Sequence, residues 1–391
     1  LLPLPALCGS AVVLYLLSLL GLLQFGHFII MAVWLAGGVY FGVRAGWRSI
    51  RQALFSPGFL LFVGGSCFLW VLFALQQPMF TQWDDFTAWG LAPKMVAERA
   101  ALYVADPINL TASFTYPATS LVSYLFQRVP GQFYEWQCLA GLDILFLACI
   151  APAAALPRKN WAGAVFAAGF LLPFFFSVVP AGTPSTIYAN AMADTPLALL
   201  FGGTLCLYAA AGGRKTGFFA CAMPLAVLTM TKDIGFAYAL IVTFLIGLDQ
   251  LFGTPHPDTK PARIFGVSLA KCSILAAVVL AVFISWNRYT AAVTPTETTG
   301  ASVGSAGLSY GAVLTGGIKQ LLGIGREERF AQIMQSMGQA FLYRRVCLVG
   351  APIMAVSCIL LLFTAAFVAA PAGAARRRTV VGFVGGAFCF A

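Results

Sequence analysis

The sequence predicts an all-α fold, a polytopic transmembrane helical bundle, and three observations carry that expectation. Of 391 residues, 60% are hydrophobic and only 9% are charged, whereas a soluble domain carries roughly a quarter charged residues; the mean hydropathy is +0.88. Apolar runs of spanning length recur along the whole chain. Basic residues gather in alternate loops between those runs. Together these exclude a soluble enzyme, a disordered chain, a disulfide-stapled secreted domain and a nucleic-acid binder. No barrel-type alternation of apolar and polar residues is present, so the spans are helices that satisfy their own backbone in lipid.

A membrane helix needs about 20 mostly apolar residues, each adding about 1.5 Å across about 30 Å of hydrocarbon. Runs that qualify, wholly or nearly, lie at 1–23, 26–43, 58–76, 134–156, 161–181, 197–213, 217–231, 234–252, 265–285 and 347–370, and an eleventh begins at 379. The expected architecture is one domain over 1–391 with about 11 spans, its last run cut short at Ala391. The first run is continuous with the later ones and reads as a retained helix, not a cleaved leader.

Alternating the ten complete runs brings Arg44, Arg48 and Arg51, then Arg158 and Lys159, Arg214 and Lys215, Lys260 and Arg263, and Arg376 to Arg378 to one side. Basic residues in short loops are retained in the cytoplasm, so that side is cytoplasmic. The net charge of +10 is then topological and faces anionic lipid. The ten cysteines are dispersed with no C-x-x-C pair and read as small buried hydrophobes. His27 and His256 stand alone on different segments, which argues against a histidine metal site. Asn109-Leu110-Thr111 matches a glycosylation sequon, but an ordinary loop asparagine explains it as well.

The two long loops, 77–133 and 286–345, fall on the opposite face, which is therefore the working face. The densest signal is Trp83-Asp84-Asp85-Phe86 through Trp89-Gly90, just after the third span. Two adjacent carboxylates near the hydrocarbon boundary feel reduced dielectric and each other, so at least one is expected to have a raised pKa or a bound cation. Pro93 is tolerated in a first helical turn, so a short amphipathic surface helix is expected to start there, with Pro93, Val96, Ala97 and Ala100 on one face and Lys94 and Glu98 on another. A plainer reading makes Trp83 and Trp89 interfacial anchors and the aspartates a solvated cap.

Tyr116-Pro117 precedes the semi-polar segment 121–133, too short and polar to span. Tyr188 to Pro196 puts Asp194 at the N-terminus of the sixth span, where an anion is favoured. Lys232-Asp233-Ile234-Gly235 sets a charged pair between two apolar runs with almost no loop, a costly arrangement that tends to mark function. The Thr/Ser/Gly-rich 294–311 and the Arg326–Arg329 charge cluster follow, and Arg344 and Arg345 precede the tenth span on the outer side, where snorkelling, an anionic lipid headgroup or a diphosphate accounts for them.

In order and sidedness these features resemble the GT-C superfamily of polytopic glycosyltransferases: the acidic pair Asp84-Asp85 with its aromatic neighbours and Lys94, then Tyr116-Pro117, then Asp194 leading a later span, then Lys232-x-x-Gly235. The similarity covers about 80 to 290, and Asp85 stands where many members carry glutamate. What the resemblance implies is inverting transfer of a sugar from a polyprenyl-phosphate donor to a glycan, lipid or protein acceptor at the outer face of a bacterial inner membrane. Asp84 would be general base and Asp85 its assistant; Lys232, Arg344 and Arg345 would hold phosphate; Trp83, Trp89, Tyr116 and Tyr188 would stack on sugar. Any divalent cation, Mg2+ or Mn2+, would fall to Asp84, Asp85 and Asp194. The alternatives are a polyprenyl-saccharide transporter or flippase, a lipid-linked glycan polymerase or ligase, and a noncatalytic scaffold.

Overall fold

The computed structural model describes residues 3–102, 115–127, 132–155, 190–211, 215–252 and 261–293, with scattered positions beyond. Eleven α-helices organise these residues. They are α1 (Pro3–Leu19), α2 (Gly26–Leu54), α3 (Pro57–Gln76), α4 (Leu91–Arg99), α5 (Ala118–Phe126), α6 (Glu135–Ile150), α7 (Asp194–Ala210), α8 (Lys215–Ala220), α9 (Ala222–Thr229), α10 (Gly235–Phe252) and α11 (Pro261–Val293). A two-residue antiparallel ladder pairs Arg345–Val346 with Val349–Gly350. The runs expected at 161–181, at 347–370 and from 379 lie outside the described residues or nearly so, as do Tyr188, Arg344 and the side chain of Arg345.

Eight of the expected runs fall on described helices. Four of them are long and apolar enough to cross a membrane: Leu23–Leu54, Pro57–Gln76, Glu135–Ala155 and Phe265–Val293. The other four form the shorter apolar helices Pro3–Leu19, Asp194–Ala210, Gly217–Thr229 and Gly235–Leu251. A 17-residue helix such as α1 or α7 reaches about 26 Å, a little under the hydrocarbon thickness.

The bundle is built around α6, which is predominantly apolar with no distinct polar face and is almost wholly buried, as expected of a helix covered on every side. It packs against α3, α5 and α7, and also touches α1. A second centre is α9, in contact with α1, α7, α10 and α11. By contrast α2, α3 and α11 leave most of their apolar surface uncovered, which is what a lipid-facing ring does.

Two helices of the first long loop depart from expectation. The helix α4 begins at Leu91, not Pro93; a proline in the first turn lacks only an N–H that has no intrahelical partner, so the helix starts ahead of it. Its face of Ala92, Pro93, Val96 and Ala97 is buried and packs on α5, so protein, not a membrane surface, covers it. The segment after Tyr116-Pro117 forms α5, whose residues 118–124 are all buried between α1, α4 and α6.

Candidate functional site

At one end of the bundle four loop segments are tied together by single polar contacts. Between α3 and α4 the chain makes a helical piece that widens into a π-turn over Asp85–Trp89, closed by Gly90 N–H donating to the Asp85 carbonyl at 2.8 Å. Such turns are rare and concentrate at functional sites. This turn separates the two neighbouring aspartates: Asp84 is exposed, and Asp85 is fully buried. Glu135 holds the approach to the turn, accepting the Phe80 N–H at 2.6 Å from the first residue of α6.

The Asp85 carboxylate reaches across to the segment before α7, where its Oδ1 accepts the Ala191 N–H at 3.2 Å. Its Oδ2 is buried with no hydrogen-bond partner among the described residues. Burial pushes the Asp85 carboxyl up to about 6, against hydrogen bonding from the backbone at Ala191 and Gln82 that pulls it down, and the Asp84 charge adds to the rise. The expectation that one member of the pair has a raised pKa is met, at Asp85.

Three residues beyond Ala191 is Asp194, so the two sit within about 11 Å of chain. Asp194 opens α7, and its Oδ1 accepts a hydrogen bond and ion pair from Lys232 Nζ at 2.7 Å. The pair is open to solvent, with 33% of the lysine and 67% of the aspartate side chain accessible. Lys232 sits in the tight turn between α9 and α10, where Gly235 N–H donates to the Lys232 carbonyl at 2.9 Å. A side chain at Gly235 would overlap the Leu228 carbonyl oxygen, so the glycine of the Lys-x-x-Gly signal is what lets the turn close and present the lysine.

The same turn receives the first long loop from another direction. Ala118 N–H donates to the Met230 carbonyl at 2.9 Å, anchoring the start of α5 two residues from Lys232. Next to it Tyr116 packs its ring 5.9 Å from that of Trp286, which stacks in turn on Tyr289 at 6.0 Å near the end of α11. Asp84, Asp85, Asp194, Lys232 and Tyr116 are thus drawn to one end of the molecule. Trp286 and Tyr289 belong with them, although the sequence marked them only as the opening of the second long loop.

Other candidates stand apart. Trp83 is 79% exposed, whereas Trp89 is half-buried against the core, so Trp83 is the ring available for stacking. Lys94 lies on the exposed face of α4, and among the described residues no side-chain hydrogen bond or ion pair links it to the carboxylates. Whether a cation binds was left open by the sequence; among the described residues no three His, Cys, Asp or Glu side chains cluster closely enough to hold one. The reason is directional, since Asp85 turns inward to Ala191, Asp194 turns to Lys232, and Asp84 faces out. No family model, curated protein or solved structure gives a significant match to the chain.

Proposed function

We propose that the chain is an inverting glycosyltransferase that moves a sugar from a polyprenyl-phosphate donor to a glycan, lipid or protein acceptor. It would work at the outer face of a bacterial inner membrane, within a bundle of about eleven spans. The observation that carries this reading is the meeting of the first-loop acidic pair with the Asp194–Lys232 pair, through the contact of Asp85 with Ala191. A base and a cation within reach of one sugar phosphate are what the reaction requires.

In this mechanism the exposed Asp84 carboxylate takes the proton of the acceptor hydroxyl as its oxygen attacks the anomeric carbon. The bond from that carbon to the phosphate oxygen breaks, and polyprenyl phosphate leaves with the electron pair. Lys232 neutralises the departing charge by a charge-assisted hydrogen bond. To do so it exchanges Asp194 for the donor phosphate, an inexpensive step because an exposed ion pair contributes about 1 kcal/mol or less. Asp85, clamped on Ala191, holds the turn that presents Asp84.

The test is turnover of radiolabelled polyprenyl-phosphate sugars by the purified protein and by Asp84→Asn. Transfer should fall by at least about 100-fold in the folded variant, the lower end for loss of a general base. Donor binding with no transfer in either protein would contradict the proposal. That result would favour a transporter, for which the supporting observation is Asp143, a carboxyl buried within α6 whose Oδ2 has no partner among the described residues.

A further inference from the structure

The opposite side of the molecule, by chain alternation, carries a basic cleft that the transferase reading does not use. The helix α2 is interrupted at Gly46, whose φ of 69° and ψ of 152° lie outside the helical region. Nothing lies within 4 Å of a side chain built there, so backbone conformation alone demands the glycine. Beyond the break the chain winds on through 47–54 and turns at Phe55–Ser56 into α3.

That last stretch has two faces. Trp47, Ile50 and Leu54 recur at three and four, and Trp47 and Phe55 are 74% and 69% exposed. Arg48, Arg51 and Gln52 share the other side, and their side chains line a cleft of about 700 Å³ completed by Phe55, Ser56 and Pro57. Residues three apart on a helix are neighbours, about 5 to 6 Å between Cβ atoms, so the two guanidiniums can converge on a single anion. The start of α3 adds the positive end of its dipole. Its cap residue Ser56 donates its hydroxyl to the Ala53 carbonyl at 2.8 Å and makes no side-chain bond to the first N–H groups of α3.

Among the described residues no counterion is built in. The first acidic residue of the sequence is Asp84, beyond the far end of α3. Neither Arg48 nor Arg51 has a carboxylate partner among the described residues, while Arg44 sits over the Tyr40 ring at 5.8 Å. A topology signal explains positive charge at this loop, but it requires neither a cleft nor guanidinium geometry.

We propose that the Arg48–Arg51 cleft binds the headgroup of an anionic phospholipid from the leaflet that meets the α2–α3 turn. The guanidinium forks would take the phosphodiester oxygens in paired hydrogen bonds. The exposed Trp47 and Phe55, with the uncovered face of α3, would lie against the acyl chains. This inference rests on the membrane reading of the chain and is independent of the transferase reading.

The experiment is a lipid titration of the full-length detergent-purified protein by native mass spectrometry, using phosphatidylglycerol and phosphatidylcholine with the same acyl chains. The wild type should bind phosphatidylglycerol more tightly, and Arg48→Gln/Arg51→Gln should weaken that binding by about 30-fold, from about fivefold for each basic residue. The variant Arg48→Lys/Arg51→Lys keeps the charge required for insertion and should lose only the forked hydrogen bonding, an intermediate weakening of a few fold. Equal affinity of the wild type for the two lipids would overturn the proposal whatever the variants do. So would displacement of phosphatidylglycerol by millimolar inorganic phosphate, since that outcome assigns the cleft to a soluble anion.

Discussion

The helices α7 and α10 pack side by side, and the polar groups at their two ends behave in opposite ways. At their N-terminal ends are Asp194 and Lys232, exposed and paired with each other, beside Asp85 with one buried oxygen unclaimed among the described residues. About 21 Å away along the helices, the C-terminal ends hold a closed network. There Tyr208 donates to Asp249 Oδ2 at 2.6 Å and accepts from Gln250 Nε2 at 2.6 Å, and Gln250 Oε1 accepts from Lys271 Nζ at 3.1 Å. Lys271 also lies 5.8 Å from the centre of the Phe218 ring. Tyr208, Asp249 and Gln250 are all buried. A satisfied buried network locks helices together, whereas an exposed ion pair can exchange one partner for a ligand at little cost. The first is architecture, and the second is where chemistry is to be sought.

That contrast predicts how substitutions separate. Tyr208→Phe keeps the ring but removes the hydroxyl shared by Asp249 and Gln250, leaving buried polar groups short of a partner. The expected cost is about 1 to 3 kcal/mol, read as a lower midpoint in thermal or denaturant unfolding, with turnover per folded molecule unchanged. Gly235→Ala forces a methyl into the Leu228 carbonyl and should cost about 1 to 2 kcal/mol by overpacking. Because it displaces the turn bearing Lys232, the donor KM should rise as well, which distinguishes it from Tyr208→Phe in steady-state kinetics.

The effect at Asp85 differs in kind, because it depends on pH. Its carboxyl titrates near 6 in the folded protein, above the ordinary value of 3.8, so the folded state holds its proton more tightly than the unfolded one. This group therefore favours folding below about pH 4 and loses that contribution as pH rises to about 6. Asp85→Asn keeps an acceptor for the Ala191 N–H and removes the charge. It should leave the unfolding midpoint near that of the wild type at pH 4 and raise it at pH 7.5. A midpoint difference independent of pH would contradict the assigned titration.

Much of this arrangement was legible from residue types. Charges in an otherwise apolar chain are rare enough that Asp84, Asp85, Asp194 and Lys232 each stood out, and alternation of the runs put them on one side. Which aspartate is buried was not legible, because neighbours on a chain part only when the local winding is known, and here it is a π-turn. The burial of α5 was also hidden, since Thr119, Ser120 and Ser123 mark a segment as polar while small hydroxyls fit inside a helix bundle. The Tyr208–Asp249–Gln250–Lys271 network was missed for another reason. Its members come from three separate runs, and only the side-by-side packing of α7 and α10 brings the Tyr208 hydroxyl between Asp249 and Gln250.

Whether the N-terminal ends of α7 and α10 form the working site is decided by Lys232→Met, assayed for both stability and transfer. The unfolding midpoint should be little changed, since the pair it breaks is worth about 1 kcal/mol or less. Sugar transfer should drop by about 100-fold or more, as on removing a preorganised donor to a developing negative charge. Transfer at the wild-type rate, or a loss that merely follows unfolding, would contradict it.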